Sequence, residues 1–285
     1  IVEVRGNPAV RVSYGEMAGE PLDRAASGAP LKSPADHSIV GTSVPRVDLL
    51  AKLTGGEAFV HDLHLDGMLH GRVVRPHVRT MGGVGTTVES VDDAAARQMP
   101  GVVAVVHEGS FVGVVAERQE QAIATAEALR VTWSPPAELP DQASYYDQIT
   151  TLDVDTVEIA RTGDVEGALA TAARTIEATY RFPSQAHASL GPSCAVADVR
   201  GGEGTIYSAT QGVYALRTTL AALLGLVPEQ VRVIHREGAG CYGQNGADDV
   251  AADAALLSRA VGRPVRVQWS RQDEFAWEPK GPAMV

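Results

Sequence analysis

Residues 235–249 constrain this chain more than any other stretch. A β-branched run at 231–234 leads into Gly238, Ala239, Gly240, Cys241, Tyr242 and Gly243, and an acidic, alanine-rich run starts at Asp248. Glycine lets a backbone turn through positive φ and lets another group approach it closely. A helix start just beyond adds unpaired N–H groups and the positive end of a dipole. Strand, glycine loop and helix N-terminus together read as a backbone cradle for an anionic or oxo ligand. A purely structural turn is the plainer alternative. The spacing Gly238-x-Gly240-x-x-Gly243 also fits a dinucleotide fingerprint. That reading needs an acid about 20 residues further on, at the end of the next strand. The next strand-like run, 265–269, ends in Ser270 and Arg271, with Asp273 too late. Asp248 and Asp249 also put negative charge where a pyrophosphate would want none.

Other classes fall to composition. The net charge is −11 with no basic block, which argues against a nucleic-acid surface or an anionic-membrane patch. No apolar run reaches the roughly 18 residues of a membrane-spanning helix. The two cysteines, Cys194 and Cys241, are too few to hold an iron–sulfur cluster and read as free thiols. The chain opens on strand-like residues without an initiator Met and ends without a closing element. It reads as a piece of a longer polypeptide.

Periodicity gives an α+β organisation. Residues 1–40 hold a hairpin-like stretch, a short helix at 14–17 and a Pro/Gly/Ser-rich linker over 19–37. Residues 41–135 read as one separate unit: strands at 59–65, 68–74, 102–107, 111–116 and 131–133, helices at 91–99 and 117–129. Residues 136–162 read as a linker with one short helix. Residues 163–285 resume with helices at 165–173, 213–224 and 248–261, strands at 175–182, 195–199, 205–209, 231–234 and 265–269, and a last helical turn at 271–275. Gly225 is expected as the left-handed residue ending the 213–224 helix.

Several side chains invite a chemical reading. Gln211 ends a strand-like run and precedes a helix, and its neutral amide can both donate and accept beside a cofactor. His61, His64, His70 and His77 cluster in sequence but read as surface residues, because a spacing of three in a strand divides His61 from His64. His187 sits in a loop after Pro183. Asp248, Asp249 and Asp253 are ordinary for the start of a helix.

Taken in order, residues 45–133 resemble the a/b-hammerhead domain of molybdenum hydroxylase large subunits, the xanthine dehydrogenase/aldehyde oxidase family. The phrases that carry this are Val44-Pro45-Arg46-Val47-Asp48, Lys52-Leu53-Thr54-Gly55, Leu65-Asp66-Gly67-Met68-Leu69-His70, Val73-Val74-Arg75-Pro76 and Met99-Pro100-Gly101-Val102. Residues 163–278 resemble the first part of the molybdopterin-binding domain, through Tyr180-Arg181-Phe182-Pro183, His187-Ala188-Ser189-Leu190-Gly191-Pro192, Thr210-Gln211, Leu224-Gly225-Leu226, Gly262-Arg263-Pro264-Val265 and Trp269-Ser270-Arg271. Isoquinoline oxidoreductase and nicotinate dehydrogenase large subunits are the most similar branch. Two positions depart from the family pattern. Tyr242 stands where the family's glycine loop carries Phe, and Gly191 stands where Glu precedes the proline.

The resemblance implies oxidative hydroxylation of an N-heteroaromatic, nicotinate-like ring or an aldehyde, with water as the oxygen source. It implies a molybdenum–molybdopterin cytosine dinucleotide cofactor contacted by Gln211, Gly240, Cys241, Tyr242 and Gly243, with Tyr242 beside the substrate. None of these residues is expected to ligate the metal. The catalytic glutamate is expected beyond the C-terminal end of this sequence, so the chain alone should be inactive. The expected partners are the remainder of the large subunit, a small subunit carrying [2Fe-2S] clusters, and a cytochrome c or flavin acceptor. The compartment is left open between cytoplasm and periplasm. A non-catalytic interaction piece and an NAD(P)-binding dehydrogenase are the competing readings.

Overall fold

The computed structural model describes residues 1–4, 6–18, 28, 30–76, 86–135, 141–243 and 248–285. His77, much of the 19–37 linker and residues 244–247 of the glycine stretch lie outside the described residues. The chain forms two compact units, Ile1–Val47 and Asp48–Val285. In the first, β1 (Val2–Val4) and β2 (Asn7–Val12) pair antiparallel, as the hairpin-like sequence suggests. Helix α1 (Tyr14–Met17) follows. Ser13 and Glu16 cap it reciprocally, side chain to backbone in both directions.

The second unit holds β3 (Leu69–Val74), β4 (Val88–Asp92), β5 (Val102–Glu108), β6 (Phe111–Ala116), β7 (Arg130–Trp133), β8 (Cys194–Arg200), β9 (Glu203–Ser208), β10 (Val231–His235) and β11 (Val265–Gln268). Its helices are α2 (Leu49–Leu53), α3 (Gln119–Ala128), α4 (Tyr145–Ile149), α5 (Val165–Thr171), α6 (Val213–Leu224), α7 (Asp249–Val261) and α8 (Arg271–Trp277). Among the described residues, seven strands make one mixed sheet in the order β10-β9-β8-β11-β3-β6-β5, and β4 pairs with β7 apart from it. The core is continuous from Leu69 and Val115 through Ile206 and Leu220 to Leu257 and Val267.

That sheet crosses the boundary expected at 136–162. Strand β11 pairs parallel with β3, Val265 opposite Leu69 and Val267 opposite Gly71. The physical reason is a close approach. A Cβ at Gly71 would lie 2.5 Å from Leu257 Cδ1, and one at Gly113 would lie 2.8 Å from Leu257 Cδ2. Two glycines on neighbouring strands therefore form the seat for one fully buried leucine of α7. Within the second unit, residues 48–135 and 163–285 contribute strands to one sheet and share its main core, and Ala96, Val105, Val112, Val114 and Leu129 form a second, smaller one.

Three expected elements take another form. Residues 59–65 alternate like a strand, but the Asp62 carboxylate accepts the N–H groups of Ala58 (3.3 Å) and Phe59 (2.9 Å) and folds Val60–Asp62 into a 3₁₀ turn. Residues 91–99, expected helical, are the end of β4 and a short 3₁₀ turn at Ala96–Gln98. Residues 175–182 stay exposed and form no strand, with an isolated antiparallel bridge from Phe182 to Met284. Helix α6 matches its expectation, burying Leu216, Leu220 and Leu224 and closing on Gly225 at φ +70°.

Candidate functional site

The unit β9–α6–β10 decides where the expected site residues meet. Strands β9 and β10 run parallel and in register, from Gly204 opposite Val231 to Ser208 opposite His235. The chain therefore leaves both at the same end of the sheet, the end where open α/β sheets place their ligands. Gln211 follows one strand and the glycine loop follows the other. Gln211 Nε2 donates to Cys241 Sγ at 3.2 Å. The stems are tied: Arg236 N–H donates to the Ser208 carbonyl at 2.9 Å, and His235 Nδ1 lies 3.2 Å from the Thr210 carbonyl. Lys52 Nζ grips Glu237 at 2.6 Å, while the Val60 N–H donates to the Glu237 carbonyl at 2.9 Å.

The loop backbone is bent as its glycines allow. Gly240 and Gly243 lie at φ +125° and +122°, and Tyr242 between them is left-handed at φ +49°. A non-glycine residue held there stores strain of about 1–3 kcal/mol, which concentrates where function needs a fixed backbone. The exposed Tyr242 ring folds back over Gly240, where a Cβ would lie 2.9 Å from Cζ. Gly243 faces His187, whose Cδ2 would lie 3.1 Å from a Cβ. Gln211, Gly240, Cys241, Tyr242 and Gly243 thus form one cluster.

The other wall is the 187–193 segment. Its backbone is held by side chains of α8 and the residue after it. Arg271 donates to the carbonyls of Ser189 and Leu190, the Ser193 N–H donates to Glu274 Oε1 at 2.6 Å, and the His187 N–H donates to Glu278 Oε1 at 2.9 Å. Glu274 and Glu278 are both buried. Burial pushes the Glu274 carboxyl above its ordinary range, and its hydrogen bond to Glu278 adds to the rise. Burial also works to raise Glu278, but the Glu274 hydrogen bond, Lys280 and the His187 N–H outweigh it and hold Glu278 low. Arg271 was visible in sequence only as part of a phrase, and the two glutamates gave no signal there beyond a charged helix face.

A cavity of about 20 Å³ lies between these walls, lined by His61, Ser189, Thr210, Gly238 and Asp248 among others. It has room for about one water-sized polar group. His61 Nδ1 and Ser189 Oγ are buried without a hydrogen-bond partner among the described residues, and both of these residues line it. His61, read as a surface residue, is half-buried with Nε2 2.8 Å from the Pro192 carbonyl, because the turn at Val60–Asp62 points it inward. His70 is likewise half-buried, on β3. His64 is exposed as expected. Asp253 lies apart, buried between Arg75 Nη2 (2.6 Å) and Trp269 Nε1 (2.9 Å). Cys194 and Cys241 are free thiols. Burial pushes the Cys194 thiol up to about 12, so it packs as an inert apolar group.

The dinucleotide alternative meets a topological obstacle. A Rossmann unit lays the strand that follows the glycine loop beside the one that precedes it. Here β9 and β8 stand between β10 and β11.

Residues 150–285 match the family model for the molybdopterin cofactor-binding domain. A nicotinate dehydrogenase subunit of Pseudomonas putida is 47% identical over 268 residues, covering 91% of this chain and 22% of that protein. The beta subunit of isoquinoline 1-oxidoreductase from Brevundimonas diminuta is 29% identical over 268 residues, covering 89% and 34%. Among solved structures, the aldehyde oxidoreductase from Desulfovibrio gigas shares the fold with a TM-score of 0.67 at 23% identity, covering 88% of this chain and 32% of that one. The chain spans between a fifth and about a third of the length of these curated relatives. Over residues 150–285 the chain is similar to molybdopterin cofactor-binding domains, and along most of its length it is similar to subunits of oxidoreductases of the xanthine dehydrogenase/aldehyde oxidase kind.

Proposed function

We propose that this chain contributes one wall of the cofactor site in a molybdenum hydroxylase that oxidatively hydroxylates an N-heteroaromatic, nicotinate-like substrate, with an aldehyde as the alternative. The observation that carries the reading is the meeting of Gln211 and Cys241 at the shared end of β9 and β10. Two loops that are 30 residues apart converge there. The 47% identity to the nicotinate dehydrogenase of Pseudomonas putida favours the heteroaromatic ring.

The residues present fit a molybdopterin group. The positive-φ backbone at 240–243 leaves main-chain groups open to close approach, and two buried polar atoms at the neighbouring cavity await a partner. When bound, the molybdenum centre would supply a Lewis acid and an electron sink, with water as the oxygen source. Gln211 would offer its amide to an oxo group, and Gly240, Cys241 and Gly243 would present the backbone on the other side. Tyr242, exposed at the rim, would stand beside the substrate ring. In this reading the glutamate that acts as base lies outside these residues, so turnover needs the complete subunit. The hammerhead assignment of residues 41–135, the cytosine dinucleotide form of the cofactor, the [2Fe-2S] partner subunit and a cytochrome c or flavin acceptor belong to the same proposal.

The test is molybdenum and molybdopterin content of the full-length protein, with kcat on nicotinate and on an aldehyde. Stoichiometric molybdenum that falls in Gly243→Val supports the reading. Full molybdenum in that variant would remove the loop from the site.

A further inference from the structure

Arg271, Glu274 and Glu278 follow one another at intervals of three and four, one face of α8 carried into its capping residue. Each turns its side chain to the backbone of the 187–193 segment. That segment belongs to no helix or strand, so its amides and carbonyls need partners from elsewhere. Glu274 and Glu278 are 0% and 2% exposed. Burying two carboxyl groups together is costly, and an apolar helix face would pack without that cost. What the acids give, and leucines could not, is a directional hold on single amides.

We propose that Arg271, Glu274 and Glu278 are positioning residues that clamp the 187–193 segment so that His187 stands against Gly243 at the edge of the glycine loop. The role of the clamp rests on the reading of 240–243 as a cofactor cradle. The segment touches that loop at two points. His187 meets Gly243, and the Gly191 N–H donates to the Ala239 carbonyl at 3.4 Å. Between the clamped groups Ala188 sits at φ +48°, a strained conformation for alanine, fixed on one side through His187 and on the other through Ser189.

The two acids hold different amides, which makes the proposal testable. Glu274 Oε1 accepts from the Ser193 N–H, while Glu278 Oε1 accepts from the His187 N–H and from Lys280 Nζ at 3.3 Å. The charged groups around the pair are Arg271 on the same helix and Lys280 on the chain after it. His187 reaches it through its backbone, and Asp273 is turned to Ser270 and Arg72 instead. Glutamine in place of Glu274 keeps an acceptor for the Ser193 N–H. Glutamine in place of Glu278 keeps an acceptor for the His187 N–H and gives up only the charge paired with Lys280.

The experiment is amide hydrogen exchange over peptides covering 187–193 in the full-length protein, between about pH 5 and pH 8. Glu274→Gln should keep wild-type protection. Glu274→Ala and Glu278→Ala should raise exchange about tenfold, the scale of one hydrogen bond, while Glu278→Gln should keep most of the protection. Equal loosening by glutamine and alanine at either position, or unchanged exchange in both alanine variants, overturns the clamp. If the alanine variants do not fold, Glu274→Asp and Glu278→Asp, which draw each carboxylate back from its amide by one methylene, take their place. Molybdopterin content in Gly243→Val is read separately. A normal value there defeats the cradle reading, while the exchange rates still decide for or against the clamp.

Discussion

The Arg75 guanidinium pairs with the Asp253 carboxylate at 2.6 Å and lies 4.7 Å above the Trp269 ring, which itself donates to Asp253. Arg75 follows β3 and Asp253 sits in α7, so the pair binds together the two segments that sequence alone divides. Burial pushes the Asp253 carboxyl up, and Arg75 and the Trp269 N–H work against that. Arg75→Ala should cost about 3–5 kcal/mol, because it strands a buried acid. The cost should depend on pH. Without Arg75 the folded-state pKa of Asp253 rises further above its unfolded value. Stability is then fullest below about pH 4 and falls as pH rises through the folded value. Denaturant melts of the variant at acid and neutral pH would show this. A pH-independent loss would mean the pair is not the cause.

The same geometry bears on the linker. Residues 141–162 are largely exposed, with one short helix, α4, and they connect segments that share seven strands. A protease should nick there and leave both halves associated under native conditions. Separation by gel filtration without denaturant would contradict the shared sheet.

Gln211→Ala and Gly243→Val should damage the site differently. The first removes an amide worth about 1.5–3 kcal/mol if its acceptor is charged, and should lower kcat while molybdenum stays bound. The second forces a β-branched residue to φ +122° with its Cβ 3.1 Å from His187, and should lower molybdenum content itself. Parallel loss of metal in both variants would give Gln211 a purely structural part.

What sequence could reveal here follows the range of the interaction. The bent backbone at Gly240 and Gly243 and the Gly225 cap were legible because each depends on local backbone rules. The β3–β11 pairing was not, since it joins residues 196 positions apart and turns on one leucine seated over two glycines. Residues 59–65 misled because alternation signals a strand only if no side chain captures the backbone first, and Asp62 does so. The clamp was hidden for another reason. Arg271, Glu274 and Glu278 look like a solvated helix face until the 187–193 backbone is laid against them.

A change on Glu274 should alter the pH dependence of stability, with the sign fixed by the direction of its shift. Its folded-state pKa is raised by burial and by Glu278, so its contribution is complete below the ordinary carboxyl value of about 4.3 and is lost as pH rises through the folded value. Glu278 is lowered, so its contribution is lost as pH falls through its own folded value. Glu274→Gln should therefore remove the loss on the alkaline side and leave the acid side in place. Thermal melts from pH 4 to pH 8 compare the two proteins, and identical slopes would show that folding does not shift the titration of Glu274.

The contact between the two walls can be tested by compensation. A Cβ at Gly191 would lie 2.9 Å from the Ala239 Cβ and 3.1 Å from His61 Cε1, closer than packed carbons tolerate. Gly191→Ala should cost about 1–3 kcal/mol by overpacking and push the 187–193 segment away from the glycine loop. Removing the opposing methyl should relieve most of it, because His61 can turn while the two backbones cannot. The double variant Gly191→Ala/Ala239→Gly should then recover stability that neither single variant has, a coupling measurable in a double-mutant cycle. Strict additivity would mean the walls do not touch as described.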